Sequence, residues 1–161
     1  MSTPKKNPIL ESGFWSKVEN LAVTGDKITH HLGPGPAFIP FNWNINVNKG
    51  SLSFLIFAMM IYYDNFDLGM WVYLVLHGSY GVFWFAKERV YPDKNHQGKQ
   101  TLMSASIVWI VAGPYYTFGW LMASRIANSN PHIERIVAAC IVYVTGLVIV
   151  MGADAQKYFT L

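Results

Sequence analysis

The chain is 161 residues long, 52% hydrophobic and only 13% charged, with a formal net charge of +3. That charged share is roughly half the share found in soluble domains, which argues against a water-soluble globule and for a chain immersed in lipid. The single cysteine, Cys140, excludes an intrachain disulfide and a multi-thiolate metal site, and the basic residues are spread along loops instead of clustering with aromatic rings, so anionic lipid headgroups and not nucleic acid are the expected partners.

The first 49 residues read as a polar head. Within it Leu10, Phe14, Trp15, Val18 and Leu21 recur at helical spacing with Glu11, Lys17 and Glu19 between them, the pattern of an amphipathic helix lying on a lipid or partner surface. Phe14 and Trp15 are its expected contact residues. The head lacks the continuous apolar core of a secretory signal; it has no Arg and carries acidic groups, unlike a transit peptide, while an internal import signal stays open. At 31–40 the run Gly33-Pro34-Gly35-Pro36 removes backbone donors and adds freedom, so regular structure should stop there in a linker. Its glycine spacing does not match a phosphate-cradling loop.

Four apolar stretches follow, at 51–63, 68–86, 102–123 and 136–153. A helix crossing the hydrocarbon core needs about 20 residues, a length that the first stretch reaches only if extended back through Val47 or on through Phe66. The expectation is an all-α, polytopic helical membrane domain of about four spans over 50–161; a re-entrant first segment, leaving three spans, is the other possibility. Tyr62, Tyr63, Trp71, Tyr73 and Trp120 stand where amphipathic rings favour the membrane interface. With four spans, Lys5, Lys6, Lys17, Lys27, Lys49, Lys87, Arg89, Lys94, Lys99 and Lys157 fall on one side and only Arg125 and Arg135 on the other, which puts both termini on the positively charged inner side. Gly119 with Ala123 suits close helix contact, and Gly113-Pro114 should kink the third span.

Chemical interest concentrates in the second span, where His77, Tyr80, Trp84 and Lys87 share one helix face. An ionisable group inside a membrane is by default a functional hypothesis, yet no second membrane His completes a bis-imidazole haem site and no carboxylate lies within the four stretches, so a packing histidine is the leading reading. Trp84, Lys87 and Arg89 are expected at a lipid or partner surface. His30-His31 lacks a further well-placed ligand, and no metal is expected. Nor do paired carboxylates on a common helix face inside the membrane, His-Glu-x-x-His or Gly-x-Ser-x-Gly occur.

The stretch His77-Gly78-Ser79-Tyr80-Gly81-Val82-Phe83-Trp84-Phe85-Ala86-Lys87, followed by Tyr91-Pro92-Asp93, and the later Gly152-Ala153-Asp154-Ala155-Gln156-Lys157-Tyr158-Phe159 resemble segments of steroid 5-alpha-reductase-like membrane proteins. The resemblance covers the chain from about Leu68 onward. It implies a helical bundle in an internal membrane, with relatives that reduce a conjugated double bond in a lipid using NADPH. His77 and Tyr80 would then lie near the substrate carbonyl, and Asp154, Gln156 and Lys157 at the cofactor mouth. The family's cofactor-holding half, with its Arg-x-Pro-Asn-Tyr-like motif, would begin after Leu161. The expectation for these 161 residues is therefore a non-catalytic accessory or scaffold subunit of a larger membrane complex, without a cofactor, in the mitochondrial inner membrane or endoplasmic reticulum. Its partners would be membrane lipids and other membrane subunits. The second expectation is the substrate-side half of an NADPH-dependent lipid or steroid reductase; a transporter or channel ranks third.

Overall fold

Backbone N–H and C=O groups have no water to bond in hydrocarbon, so a chain this apolar must close its hydrogen bonds within helices. The computed structural model describes the backbone of residues 13–160 and, before residue 23, only the side chains of Lys17, Asn20 and Leu21. It is all-α, with five helices: α1 Gly13–His30, α2 Phe41–Tyr62, α3 Leu68–Val90, α4 Leu102–Ala123 and α5 Ile133–Thr160. By length and composition three of them, α2, α3 and α5, can cross a membrane, which marks an integral membrane protein. The fourth, α4, has 22 residues, no charged side chain and Pro114 in its interior.

The expected amphipathic segment is helical in α1, where Leu21 is exposed. Leu10 and the side chains of Phe14 and Trp15 lie outside the described residues. The expected linker is irregular until Ile39–Pro40, with Gly33 and Gly35 in left-handed conformations at φ of 78° and 112° that favour glycine. It is nonetheless tied down. Ile39–Pro40 (β1) pairs antiparallel with Lys99–Gln100 (β2), the Thr101 N–H donates to the His30 carbonyl at 3.0 Å, and the Leu32 N–H donates to Ser104 Oγ at 2.9 Å. Phe41 stands edge-on between the rings of His30 and His96, with centroids 5.0 and 4.9 Å away.

The largest departure from the sequence-based expectation is α2, which starts ten residues before the apolar stretch at 51–63. Pro40, at φ −63°, is pre-set for the entrance, and two of the polar side chains that disguise this part of the helix, Asn44 and Asn46, are bonded to neighbouring helices. Trp109 Nε1 donates to Asn44 Oδ1 at 2.9 Å, while Asn44 Nδ2 donates to the Ala105 carbonyl at 3.2 Å. Trp84 Nε1 donates to Asn46 Oδ1 at 2.8 Å, and the Tyr116 hydroxyl donates to the Asn48 carbonyl at 2.9 Å. Satisfied in this way, asparagines can occupy a helix that crosses lipid. The helices α3 and α5 also run past the predicted apolar stretches, carrying Lys87, Glu88, Asp154 and Lys157 into helical structure.

In the bundle α2 is central and packs on both α3 and α4. Leu52, Ile56 and Met60, four residues apart, bury one stripe of α2 against Met70 and Ala123. Gly119 lets the ring of Tyr73 approach, since a Cβ there would lie only 3.3 Å from it. By contrast α5 rests on α3, barely meets α2 or α4, and buries none of its residues.

At the far end Asn65 closes the α2–α3 turn. It is fully buried, and its Nδ2 donates to the carbonyls of Met122 and Ala123 in the last turn of α4, both at 3.0 Å. Asn65→Ala should therefore lower stability by about 1–3 kcal/mol, seen as an earlier thermal transition in detergent, whereas an exposed substitution such as Asn128→Ala should leave it unchanged.

Candidate functional site

Tight packing of α2, α3 and α4 beside a loosely seated α5 leaves a cavity of about 220 Å³ among the four helices. Leu52, Leu76, Ala112, Val142, Leu147 and Val150 make most of its wall apolar. Its polar groups come from all four helices: Asn48 and Lys49 of α2, His77 and Tyr80 of α3, Tyr115 and Tyr116 of α4, and Tyr143 of α5. An apolar hollow with a few convergent polar groups is the usual form of a small-molecule site.

Burial and partners give each polar group a distinct character. His77 Nδ1 lies 3.0 Å from the Tyr73 carbonyl one turn earlier, and because a carbonyl only accepts, Nδ1 carries the proton. In the neutral form of the ring this leaves Nε2 as the acceptor. The imidazole stacks on Tyr73 at 4.1 Å and meets Tyr115 edge-on at 5.4 Å, which fixes its orientation. From α5, Tyr143 reaches Ser79 Oγ at 2.7 Å, the polar contact that holds α5 over the cavity.

Lys49 is the most unusual member, because a lysine inside a spanning helix costs about 2.5–3.5 kcal/mol at the membrane centre. Its Nζ lies over the faces of Tyr80, Trp84 and Tyr115, at 5.1, 5.6 and 5.7 Å from their centroids. Such faces attract a cation but carry no net charge. No carboxylate stands within salt-bridge distance of Lys49 among the described residues.

A second polar cluster latches the end of α5. Lys87 Nζ lies 2.9 Å from Glu88 Oε1 and 3.1 Å from Asp154 Oδ2, and it sits 4.5 Å over the Trp84 ring. Lys157 Nζ donates to both oxygens of Asp93, at 3.0 and 2.8 Å. Asp93 also accepts from the Asn95 N–H at 2.9 Å, opening a 3₁₀ turn at Lys94–Gln97. The stretches 77–93 and 152–159, far apart in sequence, thus meet in space around a small cleft of about 100 Å³.

Of the residues expected to act, His77 and Tyr80 do share the cavity. Asp154 and Lys157 face partners on α3 and its following loop, while Gln156 is exposed. Two expectations need correction. Trp84 and Lys87, placed at a lipid or partner surface, are 6% and 2% exposed, because the indole bonds to Asn46 and the ammonium is drawn inward by Glu88 and Asp154; Arg89 is exposed as expected. Asn48, Lys49, Tyr115 and Tyr143 were missed. The first two were hidden in what reads as a polar head, and the two tyrosines sit in apolar runs with no local mark of a site. No protein-family model, curated protein or solved structure matches the chain.

Outside the spanning helices two groups have displaced titrations. Burial acts to raise the Asp93 carboxyl, but the Lys157 ammonium and the Asn95 amide outweigh it and hold the group below its ordinary value. Burial lowers His96, against the pull of Asp93 and Glu88. Its Nδ1 stands 3.5 Å from Glu88 Oε1 without hydrogen-bond geometry, so a buried, neutral ring fits the direction. With His96 lowered, the folded state binds fewer protons than the unfolded one; this stabilisation is full above about pH 6.5 and falls away as the pH drops toward the folded value. With Asp93 lowered, its stabilisation is full above about pH 4 and lost below. Asp93→Asn should therefore lower the melting temperature at neutral pH, by the equivalent of about 1 kcal/mol for a half-exposed Lys157, and the difference from the parent chain should shrink in thermal scans as the pH falls below about 4 and through the folded value.

Proposed function

We propose that this chain is a four-span helical membrane protein that holds a lipid-like molecule among its spans, in a bundle of reductase-like design. The carrying observation is the apolar cavity capped by Lys49, His77 and Tyr80. Four spans are supported by the length and lack of charge of α4, which packs on both α2 and α3. Under that topology the start of α2 and the end of α5 share the Lys-rich face. The meeting of the two resemblance-bearing stretches at Lys87–Asp154 and Asp93–Lys157 supports the likeness to the steroid 5-alpha-reductase group.

The NADPH implied by that likeness does not fit Asp154, Gln156 and Lys157 as they stand. Both charged groups are engaged by partners within the chain, and the cleft beside them, about 100 Å³, is far too small for a dinucleotide. Within the site, Tyr80 supplies a hydroxyl and His77 a neutral acceptor nitrogen, the pair expected beside a polar lipid head. Binding and orientation of a lipid are what these groups support.

A role as an accessory subunit is the second reading, favoured by α5. Its Ile141, Val144 and Val148 are more than half exposed, leaving an apolar face for lipid or for a neighbouring subunit. On a native gel in mild detergent, a heavy band containing the chain would support the subunit role and a lone monomer would remove it.

Gly146 offers a clean test of the cavity, because it lines the hollow and a Cβ added there meets no atom within 4 Å. Gly146→Leu should fill the space without strain and cut photo-crosslinking of a diazirine-bearing fatty alcohol in nanodiscs by about tenfold, at an unchanged melting temperature. Undiminished labelling would sink the lipid-site reading. For the topology, single cysteines at Asn95 and Asn130 in a Cys140→Ser background should react with impermeant reagent from opposite sides; same-side labelling would overturn the four-span arrangement.

A further inference from the structure

Two donors on residues lining the cavity have no acceptor, one on the buried Asn48 and one on the half-buried Lys49. Asn48 is only 2% exposed and lines the hollow, yet its Nδ2 has no hydrogen-bond partner. Nearly every buried amide donor in a folded protein is satisfied, so an orphan at a cavity wall marks a place where a guest supplies an acceptor. On the next residue, the half-buried Lys49 Nζ is surrounded by three aromatic faces and meets no carboxylate among the described residues. An ammonium partly withdrawn from water and without a counter-charge gains from an anion placed beside it.

Both donors line one hollow whose remaining wall is apolar and which extends between α4 and α5, helices that hardly touch. We propose that the cavity selects a single-chain amphiphile with a carboxylate head, a fatty acid in chemical terms, held by Lys49 and Asn48 with its tail in the gap between α4 and α5. The proposal rests on the lipid-site reading above and narrows it. One cation sets the charge of the head. A carboxylate carries a single negative charge that Lys49 balances, whereas a phosphate monoester approaches two and would leave excess charge in an apolar enclosure. The Lys49 ammonium and the Asn48 amide suit the two oxygens of a carboxylate, with the first contact charge-assisted. At about 220 Å³ the hollow is smaller than most drug-sized sites, which favours one narrow chain over two.

Competition against the diazirine probe in phosphatidylcholine nanodiscs separates the possibilities, using the full chain with oleate, oleyl alcohol and 1-oleoyl lysophosphatidate as competitors. Oleate should displace the probe at a mole fraction at least about tenfold below that of oleyl alcohol. Lys49→Met should bring that ratio close to one, and Lys49→Arg should keep most of it. Equal competition by oleate and the alcohol on the unaltered chain would overturn the carboxylate inference while leaving the lipid site standing. Stronger competition by lysophosphatidate than by oleate would overturn it in favour of a phosphate head. If none of the three competes, both the inference and the lipid-site reading fall. The comparison on the unaltered chain decides the matter even if Lys49→Met does not fold.

Discussion

Hydrocarbon offers no substitute for water as a hydrogen-bonding partner, and the arrangement of this protein follows from how the polar first half of α2 meets that constraint. Asn44 and Asn46 are matched by the indoles of Trp109 and Trp84, and the Asn48 carbonyl by the hydroxyl of Tyr116. These bonds fix the rotation of α2 about its own axis, since turning it would strand several buried amides at once. With that face committed, the stripe of Leu52, Ile56 and Met60 has one place to go, against Met70 and Ala123. The position of Lys49 among aromatic rings is a by-product of the same commitment, being next in sequence to a locked Asn48.

Against this rigid group α5 is attached in a different manner. Its hold consists of the Tyr143–Ser79 contact partway along and the ion pairs of Asp154 and Lys157 near its end. Polar anchoring without a buried apolar stripe keeps α5 in place while leaving room beneath it. Filling that room with side chains would have added packing energy; a hollow lined by groups without partners has a cost that binding can offset. Subunit association through the outer face of α5 is compatible with this geometry, because the cavity lies on its inner side.

Much of the architecture was legible because lipid demands long uncharged runs, and α4 coincides with the uncharged run at 102–123. The failures share one cause. Hydropathy scores residues one at a time, so an asparagine bonded to a tryptophan counts the same as one facing water, and α2 was cut at residue 51 when it begins at Phe41. The same bias placed Lys87 at the surface when two carboxylates draw it inside. For the site, helical periodicity put His77 and Tyr80 on one face of α3. No pattern along the chain links Lys49 to Tyr115 or Tyr143, whose proximity is created by packing between helices. The pairing of Asp93 with Lys157 spans 64 residues and is likewise a product of the fold.

The gap between α4 and α5 bears on how the cavity is supplied. On the proposed lipid site, a compound that slips between α4 and α5 would never have to leave the bilayer, so occupancy would follow its abundance relative to neighbouring lipids and not its dissolved concentration. A poorly soluble molecule, nearly absent from the aqueous phase, can still saturate such a site. Two membranes bathed in the same solution but different in acyl composition would then load the protein to different extents, which makes the surrounding bilayer part of the binding equilibrium.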